Sequence, residues 1–330
     1  MDLKASIHPF EMAPLNTTMK TVVVEDSKFA IKELARPVAT ENTIVIKNHY
    51  SAINYADSFE LKKPTTDTIG FESVGEVIEV GQGVTYYKIG DRIYQAEGKS
   101  HAEYCVLDAS SASVVKIPDD VSYEDVIKFG IAHVTALALT EQSYHIKKGD
   151  YVFVTAAAGG VGSLLIQMIN QNGGIAIGSV STPEKAEYIK ALGAKHVIQY
   201  KDEDILERIM EITQGRGVDA FYDSVGGSTF ETGLKATRPL GHLIAFGMAD
   251  TLPKPVSFHD LFARSLRLHT DSLWNYFDDK ELTKALIKRL LETVHKYEMS
   301  IYKTYSLEEA PQALYDILSG KTTGRLLIKM

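Results

Sequence analysis

The chain has 330 residues, 45% apolar and 24% charged, with a net charge of -8. That balance suits a folded globular protein long enough for two domains. It excludes a nucleic-acid partner, which needs a basic face to neutralise phosphates. The one cysteine, Cys105, excludes an internal disulfide and a cysteine cluster for zinc.

The N-terminal stretch, Met1 to Pro14, carries an acid and prolines where a secretory segment needs a continuous apolar core, and no run reaches membrane-helix length. A cytoplasmic location without membrane contact is expected. Short strands with turns follow: Thr43 to Lys47, Val74 to Val80 and Asp91 to Gln95 are rich in β-branched and aromatic residues, with Gly81, Gly83 and Gly90 between them. From about Ile131 helices and strands alternate. Val161, Leu164, Leu165 and Met168 share a helical face. Ile175 to Val180 reads as a strand apolar on both faces. Thr182-Pro183-Glu184 marks a helix start, with a capping hydroxyl before a proline. Strands at 196–200, 218–223 and 242–247 alternate with helices at 204–213 and after Gly226-Gly227. This is the pattern of a parallel sheet wound on both sides. A helix carrying Leu307, Ala310 and Leu314 and a strand over 323–330 end the chain.

The stretch 152–168, VFVTAAAGGVGSLLIQM, runs from an apolar strand through glycines into a helix. It fits the dinucleotide-binding turn with alanine first: Ala157, Gly159, Gly160, Val161 and Gly162. A small first residue allows the tight turn, Gly159 lets backbone approach a pyrophosphate, and Gly162 lets helix pack on strand. The helix N-terminus offers unpaired N–H groups to the anion. An NAD site places an acid about twenty residues further on, at the end of the second strand. That window is Gly178 to Pro183 and holds no carboxylate. Ser179, Ser181 and the nearby Lys185 suit a 2′-phosphate, so NADPH is the expected cofactor.

These residues resemble the medium-chain dehydrogenase/reductase superfamily, in its zinc-free NADPH:quinone oxidoreductase (zeta-crystallin-like) branch. The likeness rests on Ile53-Asn-Tyr-Ala-Asp57, Gly81-Gln-Gly-Val84 with Ile89-Gly-Asp-Arg92, Ala156 to Gly162, Val197-Ile-Gln-Tyr200 and Tyr222-Asp-Ser-Val-Gly226. It implies an α/β chain: a Rossmann doubly wound parallel sheet over 129–274, inserted in a GroES-like β-barrel domain formed by 1–128 and 275–330. It further implies that Asn54 and Thr135 approach the nicotinamide, that Ser179, Lys185 and Tyr200 flank the adenosine end, and that Ser224, Phe246, Gly247 and Leu273 line the cofactor. Arg325 stands near a basic position the family uses for the cofactor.

Zinc-dependent members hold their metal with Cys and a His-Glu pair. Here that pair reads Phe71-Glu72, the cysteine slot falls in Ile53-Asn-Tyr55, and His101, His133 and His145 lie scattered singly, so no metal is expected. Without one, an acceptor must need little activation, as a quinone or an activated alkene does. The protein then mainly positions hydride donor and acceptor. Asn54 and Tyr55 are the catalytic candidates. Asn54 either bonds the substrate oxygen or fixes local backbone, and Tyr55 either gives a proton or lines the cleft. Trp274 and Tyr276 either stack on a flat substrate or pack between domains. Tyr144 and Lys148 form a Tyr-x-x-x-Lys pair that precedes the glycine turn and reads as chance. The segment 61–68 lacks the aromatic element usual in the family.

Three readings compete: a quinone reductase; a reductase of enals, enones or enoyl thioesters; and an NADPH-binding protein without turnover. The resemblance also implies a homodimer, with Ser265 to Thr270 as the pairing strand.

Overall fold

A computed structural model describes residues 17–62 and 65–330. The reading of Met1 to Pro14 therefore lies outside the described residues, as do Lys63 and Pro64 of the segment 61–68.

Strands β1 (Thr18–Glu25) and β2 (Lys28–Ala35) form an antiparallel hairpin. Strands β3 (Thr43–Ile53), β4 (Ser73–Val80), β5 (Arg92–Gln95), β6 (Tyr104–Asp108) and β7 (Val114–Lys116) follow. Helix α1 (Tyr123–Ala138) leads into the repeating half. There β8 (Tyr151–Val154), α2 (Gly160–Gln171), β9 (Ile175–Val180), α3 (Pro183–Ala191), β10 (His196–Gln199), β11 (Val218–Asp223), β12 (Thr237–Ala245) and β13 (Arg267–Thr270) alternate with further helices. The chain closes with β14 (Ile301–Ser306) and β15 (Arg325–Lys329).

One sheet has the order β10-β9-β8-β11-β12-β13 with every pair parallel. The order reverses beside β8, where the glycine turn begins. This is the switch point at which an open α/β sheet leaves a crevice beyond its strand ends. The second sheet runs β14-β15-β3-β4-β5-β7, with β6 also on β3. The last strand thus returns to pair antiparallel with β3, setting Leu326 opposite Ile53 and Leu327 opposite Ala52. Both faces of the parallel sheet are buried, so β9 and β11 are apolar or enclosed along their length. In α2, Leu164, Leu165 and Met168 are buried as the periodicity expects, together with Ile166 and Ile169, while Val161 is partly so.

Local signals act as their chemistry dictates. Thr182 caps α3 by accepting from Lys185 N, with Pro183 at its first turn. Ser122 caps α1 by accepting from Asp125 N. Helix α1 is bent at Gly130, where φ is +37° and ψ is -136°. Among the described residues no helix is long and apolar enough to cross a membrane.

Candidate cofactor cleft

The glycine turn follows β8. Ala157 N donates to the Ser179 carbonyl at 3.0 Å, which ties the turn to the end of β9. Helix α2 starts at Gly160 behind Gly159, which supplies no side-chain cap, so the first-turn N–H groups have no side-chain acceptor. A Cβ on Gly162 would sit 2.5 Å from the Ala156 carbonyl and 2.8 Å from Ala157 Cα, so helix and turn touch as only glycine allows. A Cβ on Gly160 would stand 3.0 Å from Arg325 Cδ. Val161, next in the turn, is half-buried.

The end of the last strand's loop joins the turn directly. Gly159 and Gly324 form a parallel bridge, and Gly324 N donates to the Ala158 carbonyl at 2.8 Å. Arg325, the next residue, is brought against the turn and is only 4% exposed. Its Nη2 donates to Glu72 Oε1 at 2.5 Å and its Nη1 to Asn54 Oδ1 at 3.0 Å, whereas its buried Nε has no partner. A buried, unpaired guanidinium N–H beside an uncapped helix start suits an anionic ligand such as a pyrophosphate.

Asn54, at the end of β3, has its amide direction fixed by its partners. Nδ2 donates to Glu72 Oε1 at 3.1 Å and to the Ala52 carbonyl at 3.2 Å. Reversing the amide would set oxygen against a carboxylate and a carbonyl, and nitrogen against a guanidinium. Both N–H groups are engaged; only an Oδ1 lone pair is left. Asp57 holds the backbone by accepting from Asn54 N at 2.6 Å. Behind Asp57 lies a buried line in which His101 Nε2 stands 3.5 Å from Asp57 Oδ1 and His101 Nδ1 stands 2.9 Å from Ser51 Oγ.

Tyr55 spans the cleft: its hydroxyl donates to the Ala249 carbonyl, in the loop beyond β12. Burial, with Asp250 nearby, raises its pKa above the ordinary phenol value. Thr135 on α1 donates to the Ile131 carbonyl at 2.7 Å. Neither hydroxyl has a spare proton. Trp274 packs on Phe71 with ring centroids 5.0 Å apart, while the Tyr276 hydroxyl donates to Asp271 Oδ1 at 2.5 Å within its own segment.

The remaining candidates gather at the carboxyl ends of the parallel strands. Ser224 follows β11, with its N–H donating to Thr155 Oγ1 at 2.9 Å. Phe246 N donates to the Asp223 carbonyl at 2.9 Å, and a Cβ on Gly247 would come 2.6 Å from the Ser224 carbonyl. Leu273 opens the short helix after β13. At the other end, Ser179 is buried, Ser181 half-buried and Tyr200 47% exposed. The Lys185 ammonium rests on the Gly320 carbonyl at 2.6 Å. Burial and then Lys201 hold its pKa below the usual lysine value.

The sequence reading passed over Glu72, Thr155 and Ala249 as participants. Only Glu72 carried a signal, as the acid of the Phe71-Glu72 pair just before β4. Tyr144, of the Tyr-x-x-x-Lys pair, donates to Asp150 Oδ2 at 2.6 Å on its own turn. Among the described residues no three His, Cys, Asp or Glu side chains converge to hold a metal ion.

Residues 40–124 match the family model for the alcohol dehydrogenase GroES-like domain, and 160–292 match that for zinc-binding dehydrogenases. A 2-haloacrylate reductase from Burkholderia sp is 35% identical over 261 residues, covering 77% of this chain and 78% of the relative. Quinone oxidoreductase 1 of Escherichia coli K12 is 32% identical over 293 residues, covering 86% and 89%. The crystal structure of Escherichia coli quinone oxidoreductase complexed with NADPH superposes with a TM-score of 0.87 at 27% identity, covering 95% of this chain and 99% of that one. With this likeness along most of its length, the chain belongs to the medium-chain dehydrogenase/reductase superfamily, in its zinc-free quinone oxidoreductase branch.

Proposed function

We propose that the protein reduces quinones with NADPH by hydride transfer without a metal. The observation that carries this reading is that both hydroxyls placed beside the cleft, Tyr55 and Thr135, already donate to protein carbonyls. An acceptor needing a protein acid at the moment of transfer is poorly served. A quinone, whose reduced anion takes its proton from water, is well served.

When bound, reduced nicotinamide supplies the hydride. The chain's residues bind and orient. Gly159 to Gly162 and Arg325 Nε receive the pyrophosphate. Ser179, Ser181, Lys185 and Tyr200 take the adenosine end, the ammonium leaving Gly320 for the 2′-phosphate. Ser224, Phe246, Gly247 and Leu273 border the cofactor's other half. With both its N–H groups engaged, Asn54 would offer Oδ1 to an N–H of the carboxamide rather than donate to the acceptor. Tyr55 acts by bridging the cleft. Phe71 and Trp274 offer apolar ring surface to a flat acceptor. The working division is residues 1–128 with 275–330 around a unit of 129–274.

A second reading, reduction of activated carbon–carbon double bonds, is favoured by the 35% identity to a 2-haloacrylate reductase. A carboxylate acceptor wants a cation, and the guanidinium at the cleft is engaged by Glu72 and Asn54. We propose further that two copies pair through β13, which among the described residues has a neighbour on one side only, near the exposed, stacked rings of Phe258 and Phe262. A monomer by analytical ultracentrifugation would refute that pairing.

NADPH oxidation with ortho-quinones, enones and crotonyl thioester, each with and without a chelator, tests the activity. Chelator-insensitive quinone turnover is expected. Turnover of alkenes alone moves the assignment to the second reading.

A further inference from the structure

Glu72 is fully buried, yet its carboxyl accepts from four donors. Arg325 Nη2 at 2.5 Å and Asn54 Nδ2 at 3.1 Å reach Oε1. Ile131 N at 2.7 Å and Tyr94 Oη at 3.1 Å reach Oε2. A carboxylate has about four lone-pair sites, so this one is saturated. The donors come from separate places: the end of β3, the middle of β5, the start of β15 and the bend of α1. An acid is costly at such depth unless all its partners are in place.

We propose that Glu72 is a positioning residue for hydride transfer. Its Oε1 sets two groups at once: the guanidinium that anchors the cofactor's phosphates and the amide that faces the nicotinamide. Anchor and reacting end are thereby held in one register. Oε2 fixes the carboxyl to the scaffold through Tyr94 and the bent helix. This inference rests on the NADPH reading above.

A glutamine cannot take the place of Glu72. One of its two terminal positions is an NH2, which must face either Arg325 and Asn54 or Ile131 N–H, all of them donors. In either orientation a donor meets a donor, so the side chain must shift and the common acceptor that sets Asn54 against Arg325 is displaced, while Arg325 keeps its charge for the phosphates.

The test is a double-mutant cycle of Glu72→Gln with Asn54→Ala. The readouts are kcat with a quinone, melting temperature, and NADPH affinity followed by the fluorescence of Trp274, the chain's one tryptophan. Glu72→Gln is expected to lower kcat about a hundredfold, the cost of a small misplacement of reacting groups. Its NADPH dissociation constant should move by less than about threefold, and its kcat should fall by less than about threefold more when Asn54→Ala is added. Losses of kcat that multiply in the double variant overturn the proposal, as does a dissociation constant that rises in step with the fall in kcat. If Glu72→Gln does not fold, Asn54→Ala decides alone, since it leaves the Glu72–Arg325 pair intact: wild-type kcat overturns the proposal, and a hundredfold loss at unchanged melting temperature supports it. Wild-type protein that binds no NADPH sinks the functional reading and this one with it; wild-type turnover with multiplying variants sinks this one alone.

Discussion

Gly130 and Glu72 share one volume: a Cβ built on the glycine would overlap Oε2 of the acid. The bend of α1 therefore does two things. It gives the carboxyl room, and it turns Ile131 N towards it at 2.7 Å. Gly130 also stands at φ +37°, which side chains adopt at a cost. Gly130→Ala must strain the backbone and displace a buried acceptor, and should destabilise the protein by roughly 2–4 kcal/mol. Denaturant unfolding reads this directly. A midpoint equal to wild type would mean that the carboxyl has slack, contrary to its four hydrogen bonds.

Among the described residues Lys185 pairs with no carboxylate; its head rests on a carbonyl, and its charge is disfavoured by burial and by Lys201. A dianionic 2′-phosphate would reverse that penalty, so NADPH should gain more from this residue than NADH does. Lys185→Ala is expected to lower kcat/KM for NADPH about tenfold and to leave that for NADH nearly unchanged, in line with losing one charge-assisted bond. An unchanged preference between the two nucleotides takes Lys185 out of the adenosine end.

Periodicity carried much of the fold. Strands β9 and β11 were found at their observed limits because burial on both faces leaves an unbroken apolar run. Strand β3 was cut short at Lys47 because Asn48 and Ser51 look like a stop. Both are buried and bonded from far along the chain: the Asn48 amide N–H group donates to the Ala102 carbonyl at 2.7 Å, and Ser51 meets His101. Strand β12 begins at Thr237 rather than His242, since Pro239, Leu240 and Gly241 read as a turn, and Leu240 does take a φ of +63°. At the site, the glycine turn was legible because its chemistry is local. Glu72 was not, because its main partner, Arg325, lies 253 positions away and only the return of β15 to β3 brings them together.

His133 is fully buried on α1 between Phe129 and Tyr297, its Nε2 3.3 Å from Thr293 Oγ1. Burial, with Arg289 adding to it, lowers its pKa from 6.5 to about 3. The unfolded chain therefore binds a proton that the folded one refuses. Stability is complete above the unfolded value near 6.5 and is lost as pH falls towards 3. At pH 4 this one group should have withdrawn about 3 kcal/mol. His133→Leu keeps the volume near constant and removes the group, so its melting temperature should fall less steeply than wild type between pH 7 and pH 4. Parallel curves for the two proteins would show that His133 accepts a proton without unfolding.

Phe71 occupies the place where zinc-dependent relatives carry histidine, and its ring lies against Trp274. Restoring the histidine does not restore a metal site. The neighbouring acid has no lone pair to give, since Arg325, Asn54, Tyr94 and Ile131 use all four, and the segment that would supply the cysteine reads Ile53-Asn-Tyr55. Phe71→His should therefore hold no stoichiometric zinc after dialysis, as elemental analysis reads. It should also raise KM for a flat quinone about fivefold through the lost apolar ring. One tightly held zinc per chain would mean that Glu72 can release its donors, and the saturated carboxyl on which the positioning argument stands would be lost with it.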